Sequence, residues 1–479
     1  MKRLATLTMM VFLCSNAWPL EKVSYRIKAL GGDLQGVVAD TYTDVLFNPA
    51  RMQGGNTTVT GKIGQYGNPF TVGYFTRGQW ALLGEGYENI TQSESLGTSL
   101  TLQSQYSVVA NRDYISRSLN EAHSLDMGLL KAVPRNGYAL GFAVYPSWSL
   151  SKSDYDNDET YTNSNQHTGV LLYKDIYKNS NKNETESQAA RIDIGYYTLA
   201  GEGIEKDVVY SVLARQTKSI VRSGYYRFTD NDPDLNGKRW DGWNTVTPNY
   251  NSQFSQTETK QDYRPQVGAA FRYQTRRRPD PSTSKVFRFE SSWQPERIER
   301  EQLAQSDSYS VSGAAVSQST STKRTTISGR NDVFQAAVTA GATIEMLDRK
   351  LLAGYALRGD ASYRAQNTDT TQDALSLGSS RLRSYSVALS VPFGLEYYAF
   401  SFVSLRWGVT PRFTMTSSQE EKVSPWSPDC AITSRSTSQS AVYSAGFGVS
   451  PFDALELNFV TSGEVLNLNN WQMQFNYMF

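Results

Sequence analysis

The chain has 479 residues, 39% of them hydrophobic, with 47 Lys and Arg against 46 Asp and Glu and a mean hydropathy of −0.48. So even a charge balance leaves no electrostatic footprint for nucleic acid. No apolar run reaches the ~20 residues of a membrane-crossing helix. The low hydropathy does not exclude a membrane β-barrel, whose lumen and connections are polar and whose strands turn only alternate residues to lipid.

The opening MKRLATLTMMVFLCSNAWP sets Lys2 and Arg3 before an apolar run from Leu4 to Leu13, then Ser15-Asn16-Ala17 as a small-residue cleavage site. Residues 1–17 read as a secretory signal peptide, with Trp18 as the mature start. Phe12 and Leu13 are too bulky for lipid attachment at Cys14. Cys430 is then the single cysteine, which excludes an internal disulfide and a cysteine-based metal cluster.

Residues 18–55 do not alternate. They carry Gly31-Gly32, Gly36 and the run DTYTDVLFNPARM from Asp40 to Met52. Asp44 and Asn48-Pro49 have turn chemistry, because Asx side chains cap local backbone and proline fixes φ. A compact, irregular segment is expected here, followed by a barrel over residues 56–479.

From there a period of two recurs, the signature of strands between two different solvents. Val267, Ala269, Phe271 and Tyr273 oppose Arg272 and Gln274; Phe287, Phe289 and Trp293 oppose Arg288 and Glu290. Phe334 to Ile344 alternates into a turn at Leu347-Asp348-Arg349-Lys350, after which Leu351, Ala353, Tyr355 and Leu357 resume the apolar face opposite Arg358. Val403, Leu405, Trp407 and Val409 oppose Arg406. These faces predict Arg272, Arg288, Arg358 and Arg406 in the lumen, together with Glu290, Glu345 and Glu456. Asp40 and Asp44 are expected to meet such arginines, with Arg406 or Arg272 holding the segment ahead of the barrel.

Polar stretches at about 148–188, 220–263, 294–330, 360–379 and 414–437 separate the hairpins and read as long outer loops. One of them holds Asp230, Asp232, Asp234 and Asn236 with Gly237, oxygen ligands at every second position. Lys238 and Arg239 follow where a bidentate Glu would complete a Ca²⁺ loop, so a solvated acidic loop is the better reading and no metal site is assigned. His123, at a strand start, and His167, in a polar loop, are the only histidines. Neither has a singled-out nucleophile, so both read as surface residues and no enzyme or cofactor is expected.

The chain ends on WQMQFNYMF, in which Trp471, Met473, Phe475, Tyr477 and Phe479 alternate with Gln472, Gln474 and Asn476. Phe475, Tyr477 and the terminal Phe479 resemble the assembly signal of outer-membrane barrels, which implies the barrel assembly machinery as a partner. About fourteen strands count back from there to Gln79; segments 57–66 and 69–77 add a further hairpin in a sixteen-strand alternative. A soluble sandwich or propeller accounts for alternation but not for the signal peptide and terminal strand as well.

An acidic stretch ending in Asn48-Pro49-Ala50 just ahead of an even-stranded barrel resembles the long-chain fatty-acid and aromatic-hydrocarbon transporter family of outer-membrane proteins. The resemblance implies fourteen strands and a hatch inside the barrel formed by Asp40, Asp44, Asn48, Pro49 and Ala50. The family commonly continues with Gly and Leu, where this chain has Arg51 and Met52. The expected fold is therefore all-β, a transmembrane antiparallel β-barrel with an amino-terminal hatch, in a bacterial outer membrane among lipid and lipopolysaccharide. The expected function is passive uptake of hydrophobic or amphipathic small molecules; a structural or secretion-associated barrel and a general porin are the alternatives. This orientation puts Cys430 outside, so a membrane-impermeant thiol reagent is expected to label it in intact cells, and labelling only after lysis reverses the topology.

Overall fold

The computed structural model describes residues 24–478 except 55–57, 64–69, 76–79, 104–107, 166–170, 202, 231–238, 241–243, 246–248, 313–314, 426 and 463–469. The predicted signal peptide, His167, Phe479 and the acidic run after Asp230 lie outside the described residues.

Seventeen strands form one antiparallel sheet. Two of them, Leu375–Ser390 and Phe393–Phe400, share both neighbours on either side of Val391-Pro392, where proline supplies no N–H to the ladder. Counted as one, they leave sixteen staves among the described residues. The staves are β1 (Thr58–Ile63), β2 (Phe70–Phe75), β3 (Trp80–Gln103), β4 (Val108–Arg135), β5 (Tyr138–Asn165), β6 (Leu171–Ala200), β7 (Ile204–Asp230) and β8 (Asn249–Asp280). They continue as β9 (Thr283–Ser312), β10 (Ala315–Met346), β11 (Leu351–Gln372), β12 (Leu375–Ser390 with Phe393–Phe400), β13 (Val403–Ser424), β14 (Ser427–Phe452), β15 (Leu455–Ser462) and β16 (Trp471–Met478). β1 pairs with β16 from Thr58 opposite Met478 to Ile63 opposite Met473, and the barrel closes. Closure is what lets a sheet cross hydrocarbon, where an unpaired backbone group costs several kcal/mol.

The count is sixteen, the alternative that adds the hairpin in 57–66 and 69–77, rather than the fourteen that the resemblance implies: β1 and β2 are strands within those segments, and at six residues each they are too short to show a clear period. One expectation is corrected. The polar stretches read as loops are mostly strand. β4 and β5 pair without a loop from Arg135 opposite Tyr138 to Val108 opposite Asn165, and β9 and β10 from Thr283 opposite Ile344 to Ser312 opposite Ala315. A strand needs only ~9–11 residues to cross a bilayer, whereas β9 has 30. Beyond the bilayer both faces are wet, so apolar alternation disappears while the hydrogen-bond ladder continues. Cross-strand ion pairs ride on it, such as Arg112 with Glu159 at 2.6 Å and Arg222 with Glu258 at 2.7 Å.

The barrel thus has a turn end, with tight connections such as Leu347–Lys350, whose first three residues take φ of 53°, 53° and 68°, and a far end where the strands run on. A row of rings on neighbouring strands, Trp293, Phe334, Tyr363 and Tyr385, with centroids 6.3, 6.2 and 4.9 Å apart, marks the far limit of the apolar belt. Below it, exposed Phe287, Val338, Leu357 and Leu389 face outward. His123 lies on β4, 3.6 Å from Glu88. Because the far halves are separate from the belt, a chain with residues 298–329 replaced by Asn-Gly should still fold. Retained heat-modifiable migration on a gel is the readout; its loss would make the extension part of the folding unit.

Candidate functional site: the filled lumen

The amino-terminal segment lies inside the turn-end half of the barrel. Two helices form where the sequence supplies caps. Ser24 caps α1 (Tyr25–Ala29), its Oγ accepting from the Ile27 N–H at 3.2 Å, and Gly31 and Gly32 follow in the left-handed region at φ 100° and 77°. Asp40 caps α2 (Thr41–Phe47), accepting from the Thr43 N–H at 2.9 Å, and a 3-10 turn, Pro49–Gly54, completes the segment. Asp40 also accepts from Ser24 Oγ at 2.8 Å. Its described bonds are therefore within the segment and not with a lumen arginine, which corrects that expectation: the carboxylate is used in capping.

Apolar contact between segment and wall forms the largest buried clusters. Tyr42, Val45, Leu46 and Met52 pack on Ala81, Leu83, Leu130, Ala132, Ala143 and Tyr145. Ile27, Leu30, Leu34, Val37 and Val38 pack with Ala356. Each fully buried aliphatic chain of this size contributes about 1.5–3 kcal/mol. The sequence carried a signal for this: Leu82-Leu83 and Leu129-Leu130 are apolar on both faces, so the lumen there cannot be water-filled.

Wall glycines set the approach. A Cβ on Gly141 would fall 2.2 Å from the Ala50 nitrogen, and one on Gly195 would fall 2.1 Å from Asn48 Oδ1. Asn48-Pro49-Ala50 is seated there: Asn48 Oδ1 accepts from the Ala50 N–H at 3.0 Å, while Nδ2 donates to the Tyr196 carbonyl at 3.0 Å and to Asp207 at 2.9 Å.

Ion pairs complete the attachment. Arg51 donates to both oxygens of fully buried Asp207, at 2.8 and 2.6 Å, and to Glu205 at 2.9 Å. Asp44 meets Arg276 at 3.3 Å and Arg51 at 3.9 Å. Burial pushes the Asp44 carboxyl up in spite of both arginines, so Asp207 and Glu205 are the firmer partners of Arg51. On β12, five staves from β7, Arg26 reaches Glu396 at 2.6 Å, and Arg406 holds the same carboxylate at 2.7 Å. Arg406 also donates to Asn458.

The predicted lumen arginines divide into three kinds of contact. Arg406 reaches the segment through Glu396. Arg272 pairs with Asp193 at 2.5 Å and lies 5.5 Å over the Phe47 ring, while Arg288 pairs with Glu290, lies 4.2 Å over the same ring and donates to the Gln35 carbonyl at 3.3 Å. Arg358 pairs with Asp360 at 2.8 Å and lines open space above the segment. Sequence reasoning missed Arg26, Arg51, Glu205, Asp207, Arg276 and Glu396, because opposite charges on strands far apart in the chain show no pairing until the sheet closes. Phe475 and Tyr477 lie on β16, opposite Gly61 and Val59 of the closing strand. A Cβ on Gly61 would sit 2.2 Å from the Phe475 ring, so the small residue admits the aromatic one.

Two cavities flank the segment. The far-side cavity, about 400 Å³, is lined by Arg191, Arg272, Arg358 and Arg412, by Glu290 and Asp360, and by Leu213, Ala270, Ala336, Ala337, Ala361 and Ala388 among others. The turn-side cavity, about 580 Å³, is bounded by Arg26, Asp40, Tyr42, Asp44, Arg51 and Met52 of the segment and by Thr58, Glu205, Arg276, Glu456 and Asn476 of the wall, among others. The described segment stands between them.

Removing Arg51 takes the guanidinium from fully buried Asp207, whereas half-buried Glu205 keeps Arg276 at 3.4 Å. Arg51→Ala is expected to cost about 3–5 kcal/mol and to loosen the segment, while Arg51→Lys, lacking the fork that meets both Asp207 oxygens, recovers only part. Protease cleavage within residues 24–54 of the folded barrel is the measurement; unchanged resistance in Arg51→Ala would show that the apolar clusters suffice.

No family model matches the chain, and no curated protein matches it. Among solved structures it is similar to the P. putida toluene transporter TodX, at 12% identity over 96% of this chain and 99% of that chain, with a TM-score of 0.34. It is also similar to the CymD monoaromatic hydrocarbon channel, at 10% identity over 94% and 97%, with a TM-score of 0.34. A further likeness is to the translocator domain of autotransporter NalP from Neisseria meningitidis, at 12% identity over 72% and 90%, with a TM-score of 0.22.

Proposed function

We propose that this chain is an outer-membrane channel for passive uptake of hydrophobic or amphipathic small molecules, in which residues 24–54 act as a hatch. The observation that carries the reading is the position of that segment between two lumen cavities, where its contacts with the wall, among the described residues, are apolar packing, ion pairs and hydrogen bonds that each use a side chain. A strand of the wall cannot leave without breaking a ladder; a segment held by packing and ion pairs is able to shift as a unit. The turn end would face the periplasm and the far end the outside, following the direction of the chain into its last strand.

The far-side cavity supports the amphipathic class of solute. Its volume lies within the roughly 300–1,000 Å³ usual for small-molecule sites. Alanines and Leu213 offer apolar contact, while four arginines against two carboxylates leave the lining net positive, suited to an anionic or hydrogen-bonding head. Passage would run down a concentration gradient, with lipid and lipopolysaccharide around the belt and the barrel assembly machinery acting on Phe475, Tyr477 and Phe479 during insertion. The scaffold reading has its own observation in the polar far halves of the strands, which offer partner contacts without needing a route through the lumen.

Planar-bilayer conductance of the refolded protein, beside one lacking residues 18–55, tests the proposal. A quiet full-length barrel that conducts on truncation is expected. Large steady conductance in both means a general porin; silence in both favours the scaffold.

A further inference from the structure

The barrel is closed at the belt but not above it. β15, β16, β1 and β2 have eight, eight, six and six residues, whereas the strands that flank this group, β14 and β3, have 26 and 24. β2 pairs with β3 only over Ala81–Gly86, and β15 pairs with β14 only as far as Ser444. Beyond those points β3 from residue 87 to 103 bonds β4 alone, and β14 from residue 427 to 443 bonds β13 alone, among the described residues. The chain between β1 and β2, and between β15 and β16, is shorter than either edge. Among the described residues the far wall therefore has a four-strand gap bounded by two unpaired edges.

Over 88–103 and 430–443 neither edge carries the proline, lysine or bulge that usually protects a lone edge; Pro428 and the register shift between Ser427 and Cys430 stand only at the tip of β14. β3 keeps unbroken register with β4 from Trp80 to Gln103, and Glu88 to Leu100 contains no proline and no lysine. β14 keeps unbroken register with β13 from Cys430 to Val449. Its exposed run CAITSRSTSQSAVY, 430–443, is rich in Thr and Ser and also free of proline and lysine. Such edges are templates for another strand.

We propose that the occupant is a second copy of this chain, placed by a two-fold axis along the membrane normal so that the two gaps face each other. Two features select it. β3 runs away from the turn end and β14 runs toward it, so β3 of one copy meets β14 of the other antiparallel, whereas like edges would meet parallel. The regular free spans, 87–103 and 430–443, are close in length at 17 and 14 residues, so both edges of both copies are satisfied at once; a single bound peptide would cover one edge and create another. The charges do not oppose pairing: Glu88 and Glu94, the latter already meeting Arg117 at 2.9 Å, are the only charged residues over 88–100, and Arg435 is the only one over 430–443. In the pair, the short strands β15, β16, β1 and β2 of the two barrels face each other at the belt, while the far walls join around one shared vestibule.

The test uses full-length protein in intact cells. Cys430, exposed on β14, is the fixed partner, and Ser95→Cys, Thr98→Cys and Leu100→Cys are introduced singly on β3. Oxidation is expected to give a disulfide-linked dimer on a non-reducing gel from at least one variant, lost when Cys430→Ser is added. Wild type should form none, since the two Cys430 residues stand on opposite walls of the pair. Native mass spectrometry of the wild type should give twice the chain mass, and Arg435→Glu should shift it toward monomer. A monomer mass with no cross-link at any position, a dimer mass with no β3 to β14 cross-link, or a Cys430 to Cys430 link in wild type would each overturn the proposal.

Discussion

Hydrocarbon offers nothing to a bare N–H or C=O, and that constraint organises the whole molecule. At the belt every strand must have two neighbours, so six-residue β1 is enough to be indispensable: it joins β2 to β16 and removes the last two edges. Pro392 is tolerated within β12 because the adjoining groups remain bonded, the Ala356 N–H to the Pro392 carbonyl at 3.0 Å and the Val391 N–H to the Pro411 carbonyl at 3.1 Å. Where lipid gives way to water the constraint relaxes, and four of the sixteen staves stop while the others continue.

The same closure creates a second problem, a wide polar interior. The chain fills its lower half with its own amino terminus, using apolar helices against an unusually apolar patch of inner wall and charged pairs elsewhere. The carboxylates that hold Arg51 and Arg26, Asp207 and Glu396, are both fully buried. Breaking such a pair costs more than forming it gains, because the stranded partner remains desolvated. The segment is thereby fixed in one position more firmly than a count of its bonds would indicate.

The far half obeys different energetics. Its ion pairs are exposed and screened by water, so its order rests on the backbone ladder shared by adjacent long strands. An edge there is not forbidden as it is in lipid; it is available. That distinction separates the role of the lumen, argued from its cavities, from the role of the outer wall, argued from its free edges.

Local chemistry made the sheet legible. Alternation around Phe334 to Ile344 and Val403 to Val409, the tight turn at Leu347 to Lys350, and the inward placement of Arg272, Arg288 and Arg406 all follow from a period of two, because a strand between lipid and lumen has no other way to sort its side chains. Asn48-Pro49-Ala50 was legible as a turn, but not as a seat on Gly141 and Gly195, since a glycine in a strand says nothing of what approaches it. The long polar stretches were illegible as strands for the opposite reason: with water on both faces no hydropathy signal survives. Which arginine meets which carboxylate, that Asp40 caps a helix instead of pairing, and where the barrel wall stays open were decided only by tertiary structure, because each depends on residues brought together by closure of the sheet.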